Sequence, residues 1–361
     1  MCLVGSGESN RSYSSRPVKK ARIVIVSPAL HDANNGNWTT AQRWQRMLAP
    51  MLDVQVLRHW SPAALSDPPD ALLALHARRS ADSIAAWADC RAAAQEAPGL
   101  AVVLTGTDLY RDIQADALAQ QSLRQAQLLV TLQERGPHAL PPELRDKARV
   151  IFQSTSTRRT LHKTARHLRV AVVGHLRDEK APQTVFALAR LLRERPDIRI
   201  DHVGAPLDSG LAGQARDTAG HCPSYRWLGA QPREATRRLI QRAHLLLHPS
   251  RMEGGAHVVM EAVCSGTPVL ASRIDGNVGM LGQDYAGLFA SDDAAAVARW
   301  LVAARAAQQA AGASLLHHLM AQCALRAKLF VPQIEQAQLQ QLVVELLPQS
   351  GQLRKPEPES I

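Results

Sequence analysis

The chain has 361 residues, 46% of them hydrophobic and 20% charged, which is enough for two domains with separate cores. Its formal charge of +10 comes from scattered Lys and Arg, and with only 4% aromatic residues it has neither a basic block nor a stacking platform, which argues against a nucleic-acid partner. Its apolar runs fall far short of the roughly 20 residues of a spanning helix, so no stable membrane insertion is expected.

Residues 1–20 lack an apolar signal-peptide core and read as a disordered leader, and five cysteines without a CxxC pair suit a reducing cytoplasm. Ala21 to Ser27, ARIVIVS, opens an α/β domain as a strand. The loop Asn34-Asn35-Gly36-Asn37 leads into a helix with Trp38, Trp44, Met47 and Leu48 on one face. Val54 to Leu57 and Ala71 to His76 are further strands, and an alanine-rich helix lies between Ser80 and Ala97. Leu100 to Leu104 is a strand ending in Thr105-Gly106-Thr107-Asp108, and Leu128 to Leu132 is another. Strands alternating with helices predict a doubly wound parallel sheet, whose ligands bind beyond the carboxyl ends of the strands. Three loops of the first half meet that condition: Asn34 to Asn37, His76 with Arg78 and Arg79, and Thr105 to Arg111.

Residues 152–167, FQSTSTRRTLHKTARH, shift to Ser, Thr and basic residues and read as a linker between a first domain at 21–151 and a second at 168–330. The second begins with the strand Leu168 to Gly174 and continues into Arg177 and Lys180. Ile198 to Gly204 is a strand, Tyr225 to Gly229 a short one, and Ala235 to Arg242 a helix. The stretch from His248 to Ser272 reads as strand, glycine turn and helix, with Glu253, Gly254 and Gly255 in the turn and Glu261 on the helix. Two glycines before a helix let backbone N–H groups approach an anion closely. Ile334 to Leu347 is helical by periodicity, and residues 349–361 read as a polar, disordered tail. His317-His318 are helical neighbours that cannot face one ion together, and no Asp-x-Asp motif follows a strand of the second half, so no metal is expected.

The Glu253-Gly254-Gly255 turn, Glu261, Gly266-Thr267-Pro268 and the Arg177/Lys180 pair together resemble the nucleotide-sugar motif of GT-B glycosyltransferases of the family 4-like branch. The resemblance implies two Rossmann-like domains facing a central cleft, with Asp275 to Gly279 as a loop that closes over the donor phosphates and residues 331–348 as a helix crossing back to the first domain. It implies that Gly174, Arg177, Lys180, Glu253, Gly254, Gly255, Glu261 and Asn277 bind the nucleotide-sugar, with Glu261 on the ribose. Arg177, Lys180 and Glu253 would be catalytic, the two cations neutralising the departing diphosphate. The aromatic residue usual after the first glycine of that motif is replaced here by Gly255.

Several further blocks, NNGNW, LHARRSADSI, LTGTDLYRDI and VVGHLRDEKAP among them, resemble the selenosugar synthases of selenoneine biosynthesis. That resemblance implies a UDP-sugar donor, UDP-N-acetylglucosamine or UDP-glucose, and selenophosphate as acceptor, giving a 1-selenosugar, UDP and phosphate without a cofactor. Asn34, Asn35, Gly36, Asn37, His76, Arg78, Arg79, Thr105, Gly106, Thr107, Asp108 and Arg111 would then hold the acceptor. Two other readings remain open at this point: transfer to a hydroxyl, with His76 or Asp108 as base, and a non-catalytic nucleotide-binding protein.

Overall fold

The computed structural model describes residues 20–29, 36–65, 67–310 and 315–347. The leader apart from Lys20, the polar tail, and Asn34 and Asn35 lie outside the described residues. The first sheet is formed by β1 (Arg22–Val26), β2 (Asp53–Leu57), β3 (Ala71–Leu75), β4 (Leu100–Leu104), β5 (Leu128–Thr131) and β6 (Ala148–Val150). They lie in the order β2-β1-β3-β4-β5-β6 and pair in parallel. Helices α1 (Gly36–Leu48), α2 (Ala81–Ala93), α3 (Ile113–Ala115) and α4 (Ala117–Gln125) make the connections. Both faces of the sheet are covered, so every side chain of β3 and β4 is buried and the strands read as continuous apolar runs.

The second sheet contains β7 (Leu168–Val173), β8 (Ile198–Val203), β9 (Tyr225–Trp227), β10 (Leu245–His248), β11 (Val269–Ser272) and β12 (Leu288–Phe289), again all parallel. The order is β12-β11-β10-β7-β8-β9. Its helices are α5 (Pro182–Leu191), α6 (Ser209–His221), α7 (Arg233–Arg242), α8 (His257–Val263), α9 (Asp275–Leu281), α10 (Ala294–Gln309) and α11 (Leu315–Ala327). In each sheet the chain reverses its direction of winding at one pair of neighbouring strands, β1/β3 and β7/β10. Crevices at such switch points are where open parallel sheets bind ligands. No helix among the described residues is long and apolar enough to cross a membrane.

Two expectations change. Gly36 and Asn37 belong to the first turn of α1 and not to the loop before it, because Thr40 Oγ1 already donates back to Gly36 O at 2.8 Å. Asp275 to Gly279 is the start of α9 and not a loop, with Gly276, Asn277 and Gly279 buried in a helix where the sequence carries two glycines. Residues 152–167 have no regular secondary structure, yet Phe152, Gln153 and Ser154 are buried, and Phe152 meets Phe330 edge to face with centroids 5.7 Å apart.

The last helix, α12 (Pro332–Leu346), returns to the first domain and adds Leu339, Leu342, Val343 and Leu346 to its core. A fully buried carboxylate, Glu335, anchors it. Arg43 Nε donates to both of its oxygens at 2.9 and 3.1 Å, Trp44 Nε1 at 2.7 Å, and Ser154 through its amide at 2.8 Å and its hydroxyl at 2.6 Å. Glu335 thereby joins α1, the interdomain segment and α12 at one point. Replacing Glu335 with Ala strands the Arg43 charge in the interior, which costs about 3–5 kcal/mol when a buried pair loses one partner. Urea unfolding of Glu335→Ala should report a loss of that size; a loss below about 1 kcal/mol, the scale of an exposed pair, would contradict this role.

Candidate functional site

The loops after β7 and β10 carry the second-domain residues of interest, at the switch point of their sheet. After β7 the chain passes Gly174 and an exposed Arg177, makes one turn over Asp178–Lys180, and enters α5 through Ala181 at φ +47° and Pro182. A Cβ on Gly174 would lie 3.4 Å from the Lys180 side chain, so the two pack together. Lys180 Nζ donates to Glu253 Oε1 at 2.5 Å, and His248 Nε2, at the end of β10, lies 3.2 Å from the same oxygen. Burial opposes ionisation of Glu253, but Lys180 and His248 outweigh it and hold the carboxyl well below the usual carboxylate range. Glu261, on α8, is also buried; Arg233 Nε lies 3.5 Å and Arg237 Nε 3.7 Å from its Oε1. Burial pushes the Glu261 carboxyl up, and the two arginines offset only part of that push. Asn277 is fully buried and donates from Nδ2 to Ser272 O at 2.9 Å, while its Oδ1 has no hydrogen-bond partner among the described residues.

The first domain meets this turn backbone to backbone. Gly106 has φ +134°, and a Cβ there would sit 3.0 Å from Gly254 N. A Cβ on Gly254 would overlap the Thr105 carbonyl, and one on Gly255 would lie 2.7 Å from Leu132 Cβ. The Thr105–Gly106 conformation is imposed by Asp108, whose Oδ1 accepts from Thr105 N at 2.8 Å and Gly106 N at 3.1 Å, and whose Oδ2 accepts from Ala77 N at 3.0 Å. Asp108 is therefore a loop anchor, fully buried and committed to backbone amides. His76, at φ +75°, accepts from Arg79 N through Nδ1 at 3.3 Å, which leaves Nε2–H to donate to Thr107 Oγ1 at 3.2 Å. Burial lowers its pKa, with Asp108 opposing, so the ring is held neutral. Positive φ on a non-glycine residue is strained and tends to mark functional loops.

The first-domain arginines separate. Arg78 Nε is bound to Asp116 Oδ2 at 2.6 Å, on the start of α4. Arg111 donates to Asp112 at 3.0 Å and reaches across to Glu179 Oε1 at 3.5 Å. Arg79 is exposed. Further bridges join the domains: Arg135 Nε to Asp275 Oδ1 at 2.9 Å and Arg326 Nη1 to Glu134 Oε1 at 3.1 Å. The cleft thus brings Gly174, Lys180, Glu253, Gly254, Gly255, Thr105 and Gly106 together, with Arg111 at its rim, while Arg78 turns to its own domain.

With this geometry in hand, the family description Glycosyl transferases group 1 matches residues 154–305. Residues 154–305 are in this respect similar to the group 1 glycosyl transferases. Over 116 residues the chain is 34% identical to a D-inositol 3-phosphate glycosyltransferase of Corynebacterium kroppenstedtii, covering 30% of this chain and 26% of that protein. Over 214 residues it is 28% identical to the protein of the same name from Mycolicibacterium smegmatis, covering 55% of this chain and 46% of that one. The chain thus spans less than half the length of both relatives. Among solved structures, HepE of Anabaena in complex with UDP-glucose superposes with a TM-score of 0.66 at 14% identity, over 89% of this chain and 99% of that one. Sucrose-phosphate synthase of Thermosynechococcus elongatus gives 0.68 at 17% identity, over 90% and 98%. The fold is GT-B: two Rossmann-like α/β domains across a cleft.

The second domain places further side chains beside these residues that sequence reasoning missed. His248 and Arg233 flank the two glutamates, Arg237 ties Glu261 to the interdomain segment through Ser156 at 2.6 and 2.9 Å, and His257 opens α8. His248 and His257 lay within the motif stretch itself; Arg233 and Arg237, one helical turn apart on α7, were visible only as a basic helix face. Gly254→Ala should prop the second domain away from the first while leaving its own core unchanged. Small-angle scattering should then report a larger radius of gyration for Gly254→Ala than for the parent at an equal melting temperature; identical profiles would mean that the close contact does not limit closure.

Proposed function

We propose that this protein is a glycosyltransferase that takes its sugar from a UDP-sugar bound in the interdomain cleft and passes it to an anionic acceptor, selenophosphate. The observation carrying the proposal is the convergence of Lys180, Glu253 and the Gly254-Gly255 turn on Thr105–Gly106, which pairs a cationic second-domain loop with a first-domain loop at one point. The UDP-glucose bound by HepE, a protein of the same fold, supports a nucleotide-sugar donor.

In this reading Glu261 accepts the ribose hydroxyls, and Gly174, the Gly254 and Gly255 amides and Asn277 line the donor. Arg177 and Lys180 hold the diphosphate. Glu253 occupies Lys180 until the diphosphate arrives and then contacts the sugar ring. As charge builds on the departing UDP, the guanidinium and ammonium stabilise it, with most effect in a site from which water is excluded. Selenium attacks the anomeric carbon, a carbon–selenium bond forms and the bond from that carbon to the diphosphate oxygen breaks. Water then cleaves the selenium–phosphorus bond, giving the 1-selenosugar and phosphate.

A selenium nucleophile needs no proton removed, and neither Asp108 nor His76, the first-domain candidates for a base, is free to take one. Asp108 is saturated by backbone amides, and His76 presents an N–H to Thr107. Gly36, Asn37, Thr105, Thr107, Arg79 and Arg111 remain acceptor-side residues in this reading, along with Asn34 and Asn35 beyond the described residues. Incubating the protein with UDP-N-acetylglucosamine or UDP-glucose, with and without selenophosphate, tests it by mass spectrometry. Selenosugar and UDP should appear together only when selenophosphate is present. UDP release that requires a hydroxyl acceptor and ignores selenophosphate would overturn the reading.

A further inference from the structure

His248, the last residue of β10, carries a buried imidazole whose Nε2 has no hydrogen-bond partner among the described residues. It lies 3.2 Å from Glu253 Oε1 without being aligned to donate to it, and Lys180 Nζ holds that same oxygen at 2.5 Å. Buried donors and acceptors are almost always paired, so an idle nitrogen within reach of a buried carboxylate calls for an explanation. The main chain of Glu253 is pinned from two sides. A Cβ on Gly276 would overlap the Glu253 carbonyl, and the next residue, Gly254, rests on Thr105 and Gly106. Only the side-chain torsions of Glu253 are left to move, and His248 stands within their reach.

Other charged groups around the pair are engaged or neutral. Arg251, in the same turn, is held by Asp178 at 2.6 Å and Asp292 at 3.0 Å, and Asp275, at the start of α9, by Arg135 of the first domain at 2.9 Å. His257, at the start of α8, feels both Glu253 and Lys180, but burial holds it neutral. Lys180 and His248 are the groups that keep Glu253 ionised against its burial. If Lys180 leaves for a diphosphate, the carboxylate stays behind in the interior, and a buried ion pair that loses one partner is strongly destabilised. An imidazole gains a positive charge near neutral pH by binding one proton. Both ring nitrogens then carry hydrogen, so Nε2 can donate a charge-assisted hydrogen bond to Glu253.

We propose that His248 is a positioning residue for Glu253 in the donor complex: as Lys180 passes to the diphosphate, the imidazole binds one proton from solvent and its Nε2–H takes over Glu253 Oε1. The imidazolium stands in for the ammonium, so Glu253 stays ionised and in place while Lys180 serves the phosphates. Binding of a nucleoside diphosphate is thereby coupled to the uptake of one proton. This rests on the reading of Lys180 as a diphosphate ligand. Because a proton is bound along with the ligand, affinity falls as pH rises, by up to about tenfold per pH unit.

Calorimetric titration of UDP into the full-length protein, in buffers of different ionisation enthalpy, counts the proton. Above about pH 7 a terminal phosphate is already ionised, its second pKa being about 6, so uptake there belongs to the protein. The parent protein should take up close to one proton per UDP and lose affinity as pH rises, whereas His248→Gln should bind UDP without uptake and with an affinity independent of pH. UDP binding by the parent without uptake, or uptake retained in His248→Gln, would overturn the proposal and leave the transferase reading standing. A second arm needs neither UDP nor a folded His248 variant. In ligand-free Lys180→Gln, imidazole nitrogen chemical shifts should show one histidine, neutral in the parent, converted to imidazolium; shifts identical to the parent's would overturn the proposal. Failure of the parent to bind UDP would sink the transferase reading and this coupling with it.

Discussion

The approach of Gly254 to Thr105 and Gly106 governs the rest of the molecule, because it is where two independently built sheets meet with no side chain between them. Main chain pressed on main chain requires glycine on both sides, and the Gly106 conformation at φ +134° is one that side-chain-bearing residues rarely adopt. The same turn that supplies Gly254 carries Glu253, and the same loop that supplies Gly106 is tied down by Asp108 and bordered by His76. Fixing this contact therefore fixes the Glu253 carboxylate relative to the Thr105–Thr107 loop. The ion pairs further out, Arg135 with Asp275 and Arg326 with Glu134, are partly exposed and contribute orientation more than energy.

Charge is the second constraint. Lys180 with Glu253, and Arg43 with Glu335, are ion pairs whose carboxylates are buried, and removing such groups from water costs free energy that an apolar pair would not. The two pairs do different work. Glu335 has every oxygen engaged by donors from three chain segments, which suits a permanent joint. Glu253 is held through one oxygen by one lysine with an imidazole close by, an arrangement that a diphosphate can compete with.

Most of the framework was legible because both parallel sheets are covered on both faces: ARIVIV, ALLAL, LAVVL and LRVAVV are buried strands that announce themselves as apolar runs. The glycine turn was legible as well, since Gly254-Gly255 between a strand and a helix marks a close backbone approach, here to Thr105 and Leu132. What could not be read are pairings between distant segments. Glu335 sits in an amphipathic helix where a glutamate ordinarily faces water, and nothing local signals that Arg43 and Trp44, nearly three hundred positions earlier, will close over it. Asp108 reads like an active-site carboxylate after a strand, but its role is to cap its own loop. Arg78 carries the same charge as Arg79, yet the placement of Asp116 at the start of α4 draws it away. Helix α9 was misjudged because Gly276 and Gly279 suggest a loop, whereas their small size lets the helix lie against Glu253 and Gln133.

In the proposed function, donor binding depends on the exchange of Lys180 from Glu253 to a bound diphosphate. A crystal structure of the complex with UDP tests it most directly. Lys180 Nζ should be found on a phosphate oxygen, with Glu253 left beside His248 and the ribose on Glu261. UDP bound while Lys180 still holds Glu253, or seated away from Glu261 altogether, would contradict it.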